Sequence, residues 1–264
     1  MIKLSICLLS FNEEGNIRRA LESVLPLLDV VSGELVVLDS FSTDRTVEIA
    51  EQLGARVFQE PWKGYVGQNN AILAKCAGEW VLSLDADEEA TPELLESVKK
   101  ILAAQNPAAG YLINRRSVYM GRLLAYAWQP DLKMRLARRE ANLRCTGNNP
   151  HPVLRVDGRL ERCAGELLHY SYRDFSGHMA QTVNFARQRA ESDYALGRRA
   201  GYGAMLFKPC FVFFKKFILK RAFLDGVPGL VSAFSSAAYI YMRQSFLWEL
   251  WSAADSGRRE KESR

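Results

Sequence analysis

The chain lacks the features that would place its 264 residues in several common classes. Its five cysteines, Cys7, Cys76, Cys145, Cys163 and Cys210, are odd in number and scattered, with no C-x-x-C pair. A disulfide framework is therefore not expected, and a reducing cytoplasm is the natural compartment. No G-x-G-x-x-G follows the first apolar run, which argues against a dinucleotide-binding dehydrogenase. No Gly-rich basic loop stands there either, which argues against a nucleotidyltransferase. Net charge is only +5, and bases alternate with acids except in the C-terminal third. That is too weak for a nucleic-acid partner. The N-terminal apolar residues run to Ser10 and straight on into Phe11-Asn12-Glu13-Glu14, without a small-residue cleavage site. They read as a first strand, not a signal peptide. There is no internal repeat or low-complexity stretch.

What is present is a 48% hydrophobic chain, enough for one large domain or one domain with an appendage. Short apolar runs with β-branched residues at Leu4 to Leu9, Leu35 to Leu38 and Trp80 to Leu84 suit buried parallel strands. Between them, Glu14 to Leu28 places Ile17, Leu21, Val24 and Leu28 on one helical face, and Thr43 to Leu53 repeats the pattern. Ser42 and Thr43 are candidate caps for that second helix, and Gly54 stops it. A third helix is expected over about Gly67 to Lys75, and a fourth after Thr91-Pro92. Strand-helix alternation with short links predicts an α/β fold with a mostly parallel sheet. After Gly110 the alternation lapses, and Tyr111 to Arg116, Lys133 to Leu136 and Val153 to Val156 read as strands between longer loops. From about Ser176 the pattern is helical, with a polar tail after Trp251.

Asp39 and Asp85 each follow an apolar run, so both carboxylates are expected at C-terminal strand ends, the edge where open α/β sheets bind ligands. Asp85 and Asp87, two residues apart on a strand exit, would repel each other unless a cation or hydrogen-bond donors intervene. Mg²⁺ or Mn²⁺ resolves that conflict, since such ions take one or two carboxylates together with substrate phosphates. The plain structural alternative is an acidic helix start through Asp87, Glu88 and Glu89. Ser10, Phe11, Asn12 and Glu13 bring a hydroxyl, a ring, an amide and a carboxylate to the same edge. The ring can stack on a base, whereas the structural alternative is a helix cap at Asn12.

Leu4 to Glu14, Leu35 to Ser40 with Thr43-Asp44, and Gly78 to Glu88 together resemble glycosyltransferase family 2. The resemblance implies a GT-A fold, a Rossmann-like sheet flanked by helices, and inverting sugar transfer from a nucleotide donor with a divalent ion at the Asp-x-Asp element. It implies nucleotide-sugar contacts for Ser10, Phe11, Asn12, Glu13, Asp39, Ser40, Asp85 and Ala86, and metal contacts for Asp85 and Asp87. Trp62-x-Gly64-Tyr65 with Gln68, Asn69, Asn70 and Ala71 looks like the bacterial lipopolysaccharide-core branch. So do Trp128-x-Pro130-Asp131-x-Lys133-Met134-Arg135-Leu136, Pro150-His151, Gly165 to Tyr172 and Asp225-Gly226. That adds Gln68 and Asn69 to the donor site. The branch usually carries lysine at Asn69, a charge that Lys63 or Lys75 would have to replace, and an acid at Pro152. The implied layout is a GT-A domain over 1–175, with a donor half at 1–110 and an acceptor half at 111–175, then a helical membrane-associating region over 176–250 and a tail over 251–264.

An inverting transfer needs a base near the acceptor hydroxyl. Asp131 is the first candidate, with an acceptor sugar stacked on Trp128, unless it merely pairs with Lys133 or Arg135. His151 is the second. Arg135, Arg138 and Arg139 are placed to meet the diphosphate or lie on a solvated face. His169 and Tyr170 read as structural. Phe207 to Arg221 interleaves aromatics with five basic residues and no acid. It is too short and charged to span a bilayer and suits a helix lying on an anionic membrane surface. The expected activity is transfer of a hexose, glucose from UDP-glucose in the family-typical case, onto a lipid-linked acceptor such as the lipopolysaccharide inner core. The expected location is the cytoplasmic face of the bacterial inner membrane. The alternatives are a catalytically silent membrane-docking protein with this fold, or another nucleotide-sugar enzyme.

Overall fold

The structure, a computed structural model, describes residues 2–148, 151–172 and 174–262. In chain order it contains β1 (Leu4–Ser10), α1 (Ile17–Leu28), β2 (Gly33–Asp39), α2 (Thr46–Gln52), β3 (Arg56–Gln59), α3 (Gly64–Leu73), β4 (Trp80–Asp85), β5 (Glu88–Ala90) and α4 (Pro92–Ala103). There follow β6 (Gly110–Tyr119), β7 (Arg122–Leu123), β8 (Leu132–Arg138), β9 (Arg144–Asn148), β10 (His151–Arg155) and β11 (Leu160–His169). The remainder is helical: α5 (Phe175–Ala195), α6 (Tyr202–Phe214), a π turn at Lys215–Leu219, a 3₁₀ turn at Ala222–Asp225 and α7 (Val227–Glu262).

The chain forms two compact units. The first comprises residues 1–116 and 130–170. Its sheet runs β3-β2-β1-β4-β8-β6-β11-β5. The β3-β2-β1-β4 portion is parallel, as the alternating sequence requires. β8 then returns antiparallel against β4, and β6 against β8. Parallel register sets Ser10 opposite Asp39 and Leu9 opposite Asp85. Leu4, Ile6, Leu8, Val37, Leu82 and Leu84 are buried with Ile17, Leu21 and Val24 of α1. Each such side chain contributes about 1.5–3 kcal/mol of transfer free energy.

Local signals differ from expectation at several helix starts. α1 begins at Ile17, not Glu14, and its N-cap position Asn16 makes no side-chain cap bond. α2 is not capped by Ser42 or Thr43; instead Asp44 Oδ1 accepts from the N–H of Thr46 at 3.0 Å. Competition explains the change, because Ser42 and Thr43 bond to the neighbouring loop. Thr91 caps α4 as expected, accepting from Leu94 N at 3.3 Å.

The second unit, residues 117–129 and 171–264, is mainly helical. Its small core gathers Tyr119, Leu124, Ala127 and Ala222, with Trp128 and Tyr172 packed against them. Trp128, expected as an open stacking platform, is half-buried here: its ring lies 5.4 Å from Tyr119 and 5.7 Å from His178. The carboxylate of Asp225 accepts from three successive backbone N–H groups, Ala125, Tyr126 and Ala127, at 2.7–2.9 Å. Asp225 therefore folds the 125–127 turn. α7 runs through the residues expected as a tail, and no helix among the described residues is long and apolar enough to cross a membrane.

Candidate active site

At the C-terminal edge of β1 and β2, two loops are stitched together by side chains. Asn12, at φ +54°, donates its N–H to Ser42 Oγ at 2.8 Å and accepts from Thr43 N at 2.8 Å. Glu13 N–H donates to Thr46 Oγ1 at 2.7 Å, and the Glu13 carboxylate accepts from Asn16. Asp39 is fully buried and accepts from Ser10 Oγ at 2.9 Å, Ser42 N at 2.7 Å, Gln59 Nε2 at 3.2 Å and Ser42 Oγ. Those donors satisfy most of what two carboxylate oxygens can accept. Asn12 and Asp39, expected against a nucleoside, thus hold the loops in shape. Two rings remain open there, Phe11 at 57% exposure and Phe41 at 52%. Phe41 went unnoticed in the sequence, although it follows Asp39-Ser40 directly.

The helix α3 residues turn inward. Gln68 is buried, donates to Ser40 Oγ at 3.2 Å and accepts from Lys63 N at 3.3 Å. Asn69 folds back onto Tyr65 O at 2.8 Å. Lys63 and Lys75, either of which was expected to replace the missing lysine charge, both reach Glu60 at 2.6 Å.

Around Asp85 lies a network that the sequence did not reveal. Arg135 Nη1 donates to Asp85 Oδ1 at 3.0 Å, and Nη2 reaches Asp85 Oδ2 and Glu88 Oε1, the latter at 2.6 Å. Glu88 is completely buried and accepts the Asp85 N–H at 3.0 Å. Arg115 places Nη1 3.5 Å from Glu88 and 3.7 Å from Asp85, while its Nε donates to Asp131 Oδ2 at 2.8 Å. Lys133 Nζ stands 3.2 Å from the other Asp131 oxygen. Arg135, expected at a diphosphate, is thus engaged by acids of its own chain, with its buried Nε unpartnered. Arg138 and Arg139 do not join it: the first pairs with Glu140 and the second donates to Gly78 O at 3.0 Å.

These contacts divide the acids. Burial works against ionising Asp85, but the guanidiniums of Arg135 and Arg115 hold it down at about 2. Burial pushes Glu88 up to about 7, with the Asp85 charge adding to the effect and Arg135 opposing it. Asp131, also resisted by burial, is kept below the usual carboxylate range by Arg115 and Lys133.

Asp87 finds a different partner. β11 pairs antiparallel with β5, setting His169 opposite Glu88, and Tyr170 N–H donates to Asp87 O at 2.9 Å. His169 Nε2 then lies 3.2 Å from Asp87 Oδ2. Gly165 permits this approach: at φ +80° it passes so close to α4 that a Cβ would fall 2.2 Å from Leu94 N. Glu166 fastens the strand through Asn114 and Arg116, each at 3.0 Å. His169, read as structural from sequence, thereby joins the acidic edge. Ala86, between the two acids, is buried in the core. Among the described residues no group of three or more His, Cys, Asp or Glu converges as a complete metal cage. The carboxylates of Asp85 and Asp87 supply oxygen ligands of the kind that Mg²⁺ or Mn²⁺ accepts beside substrate phosphates, although Arg135 engages Asp85 and His169 engages Asp87. His151 begins β10 by its backbone; its side chain and Pro150 lie outside the described residues.

A parallel sheet carrying an Asp-x-Asp element at its ligand-binding edge, continued by antiparallel strands, defines a GT-A-type glycosyltransferase. The chain belongs to glycosyl transferase family 2, whose model matches residues 5–154. An uncharacterized glycosyltransferase of Rickettsia typhi is 30% identical over 261 residues, covering 95% of this chain and 88% of that one. The lipopolysaccharide core biosynthesis glycosyltransferase LpsC of Rhizobium meliloti is 24% identical, covering 94% and 93%. In fold the chain is similar to residues 1–349 of S. aureus TarS, with a TM-score of 0.51 at 15% identity over 96% of this chain and 92% of that one.

Proposed function

We propose that this glycosyltransferase moves a hexose, glucose from UDP-glucose as the family-typical donor, with inversion onto a lipid-linked acceptor of the lipopolysaccharide inner-core type. The setting proposed is the cytoplasmic face of a bacterial inner membrane. The near full-length likeness to LpsC supports the acceptor class. The observation that carries the site assignment is Arg115, which ties Asp131 to the Asp85–Glu88 pair and so sets a candidate base beside the Asp-x-Asp carboxylates.

In this reading the donor base stacks on Phe11 at the open edge, where Ser10, Asn12, Glu13, Asp39, Ser40 and Gln68 hold the loop frame and Asn69 borders it. Asp85 and Asp87 would hold Mg²⁺ or Mn²⁺, which when bound neutralises charge on the departing diphosphate. Arg135 keeps Asp85 ionised and aimed. Asp131, itself held ionised by Arg115 and Lys133, takes the acceptor hydroxyl proton as the new glycosidic bond forms opposite the leaving group. His151 is the second candidate for that role.

A panel of nucleotide sugars, each with and without Mg²⁺ or Mn²⁺, tests the reading by release of nucleoside diphosphate in the presence of lipopolysaccharide-core acceptor. UDP-hexose turnover that requires the ion is the expected result. Turnover independent of added ion after chelation overturns the metal assignment, and no release from any donor favours the catalytically silent alternative.

A further inference from the structure

The π turn in the helical unit supplies an argument that the sequence alone did not contain. Residues Lys215–Leu219 adopt π geometry, closed by the i→i+5 bond from Lys220 N to Lys215 O at 2.8 Å. In an α-helix Leu219 would lie well off the line of Phe214, because five residues exceed one turn of 3.6. A π turn, bonded i→i+5, takes more residues per turn, so residues five apart lie much nearer one line than in an α-helix. The extra residue thereby brings Leu219 onto the stripe already formed by Phe207, Phe211 and Phe214, whose spacings of four and three follow one helix face. The exposures agree: Phe207 73%, Phe211 60%, Phe214 50%, Leu219 62%. No residue of α6 or of the π turn is buried.

Charge runs beside this stripe. Lys208, Lys215, Lys216, Lys220 and Arg221 form no ion pair with any described residue, and no acid occurs between Tyr202 and Leu224. Partial burial, with repulsion from Lys220 and Lys215, lowers the affinity of Lys216 for its proton. An exposed apolar ridge with an unneutralised cationic margin matches a surface that is apolar inside and anionic at its rim.

The geometry points to the Phe207–Leu219 ridge as an interfacial anchor that inserts into the headgroup boundary of an anionic phospholipid leaflet, with its lysines on the phosphates. The inference rests on the lipid-linked acceptor reading for its purpose, but not for its evidence. Cys210, the one exposed cysteine among five, lies within the segment and provides a reporter.

The full chain, labelled at Cys210 with an environment-sensitive fluorophore, is mixed with vesicles of phosphatidylglycerol and phosphatidylcholine or of phosphatidylcholine alone, with no donor or acceptor present. The expected result is flotation with the anionic vesicles, a blue shift of the label, and release by salt. Lys215→Glu with Lys216→Glu should weaken binding by at least about tenfold, given roughly 1 kcal/mol per surface lysine. Phe207→Ser with Phe211→Ser should abolish the blue shift while circular dichroism stays unchanged. Protein remaining in the soluble fraction overturns the inference, as does vesicle binding indifferent to both double variants. Self-association lost in the phenylalanine variant, without vesicle binding, assigns the ridge to a second copy and overturns it too. Nucleotide release measured on a soluble acceptor fragment is scored separately, so failure to float and failure to transfer remain distinct results.

Discussion

The two units manage apolar and charged side chains in opposite ways. In the sheet unit the strand and α1 apolar residues are inside, open rings are confined to loops such as those of Phe11 and Phe41, and the charges that approach the interior are matched: Asp85 and Glu88 share Arg135, and Asp131 shares Arg115 with them. In the helical unit the aromatics of α6 lie outside and the cations beside them are unmatched. One surface is complete apart from its ligands. The other makes physical sense only when something covers it, because contiguous exposed apolar patches mark interaction sites.

Perturbing the sheet unit should have the largest effects. Asp87→Ala is expected to lower transfer by about 10³-fold or more, the consequence of losing several kcal/mol of charge stabilisation, while leaving the circular dichroism spectrum intact. Undiminished donor consumption by the variant would remove Asp87 from the site. Arg135→Leu strands the buried Glu88 without its principal counter-charge and should cost about 3–5 kcal/mol in urea unfolding; a loss below about 1 kcal/mol would mean that Arg115 suffices. Asp131→Asn should reduce kcat by about a hundredfold with donor affinity little changed. If kcat holds, His151 becomes the leading base.

Smaller effects refine the comparison. Gly165→Ala forces a Cβ into positive φ and against the α4 backbone, and should destabilise the sheet unit by about 2 kcal/mol. An unchanged urea midpoint would show that β11 can shift away from α4. In the helical unit, burial lowers the pKa of His178, which pairs with the Tyr119 hydroxyl at 2.7 Å. A depressed pKa means that the unfolded chain binds the proton first, so this contribution is present above the unfolded value of about 6.5 and fades as pH falls through the lower folded value. Melting temperature should therefore drop more steeply on acidification in wild type than in His178→Gln. Parallel curves would count against that linkage.

Much of the sheet unit was legible because its signals are local. Apolar runs of strand length ending in Asp39 and Asp85 announce buried strands and an acidic edge. The helix starts at residues 14 and 43 were misplaced because capping side chains had a choice: Ser42 and Thr43 bond to Asn12, 30 and 31 positions earlier, and no spacing rule reports that. His169 looked structural for the same reason. Nothing near it in sequence hints at Asp87, 82 positions earlier; only the pairing of β11 with β5 joins them.

The Asp-x-Asp edge, the α/β alternation and the aromatic-basic segment were thus determined by the sequence itself, since periodicity and composition act within a turn or a strand. Tertiary structure decided which cation meets which acid and which histidine stands by Asp87. Antiparallel return of β8 and β11 brings Arg135 and His169 to acids about 50 and 80 residues earlier, return of β6 brings Arg115 from a shorter distance, and register there follows from packing of the whole sheet. The π turn is the smallest such decision. A single added residue in a helical turn, invisible in composition, leaves Leu219 exposed as Phe214 is.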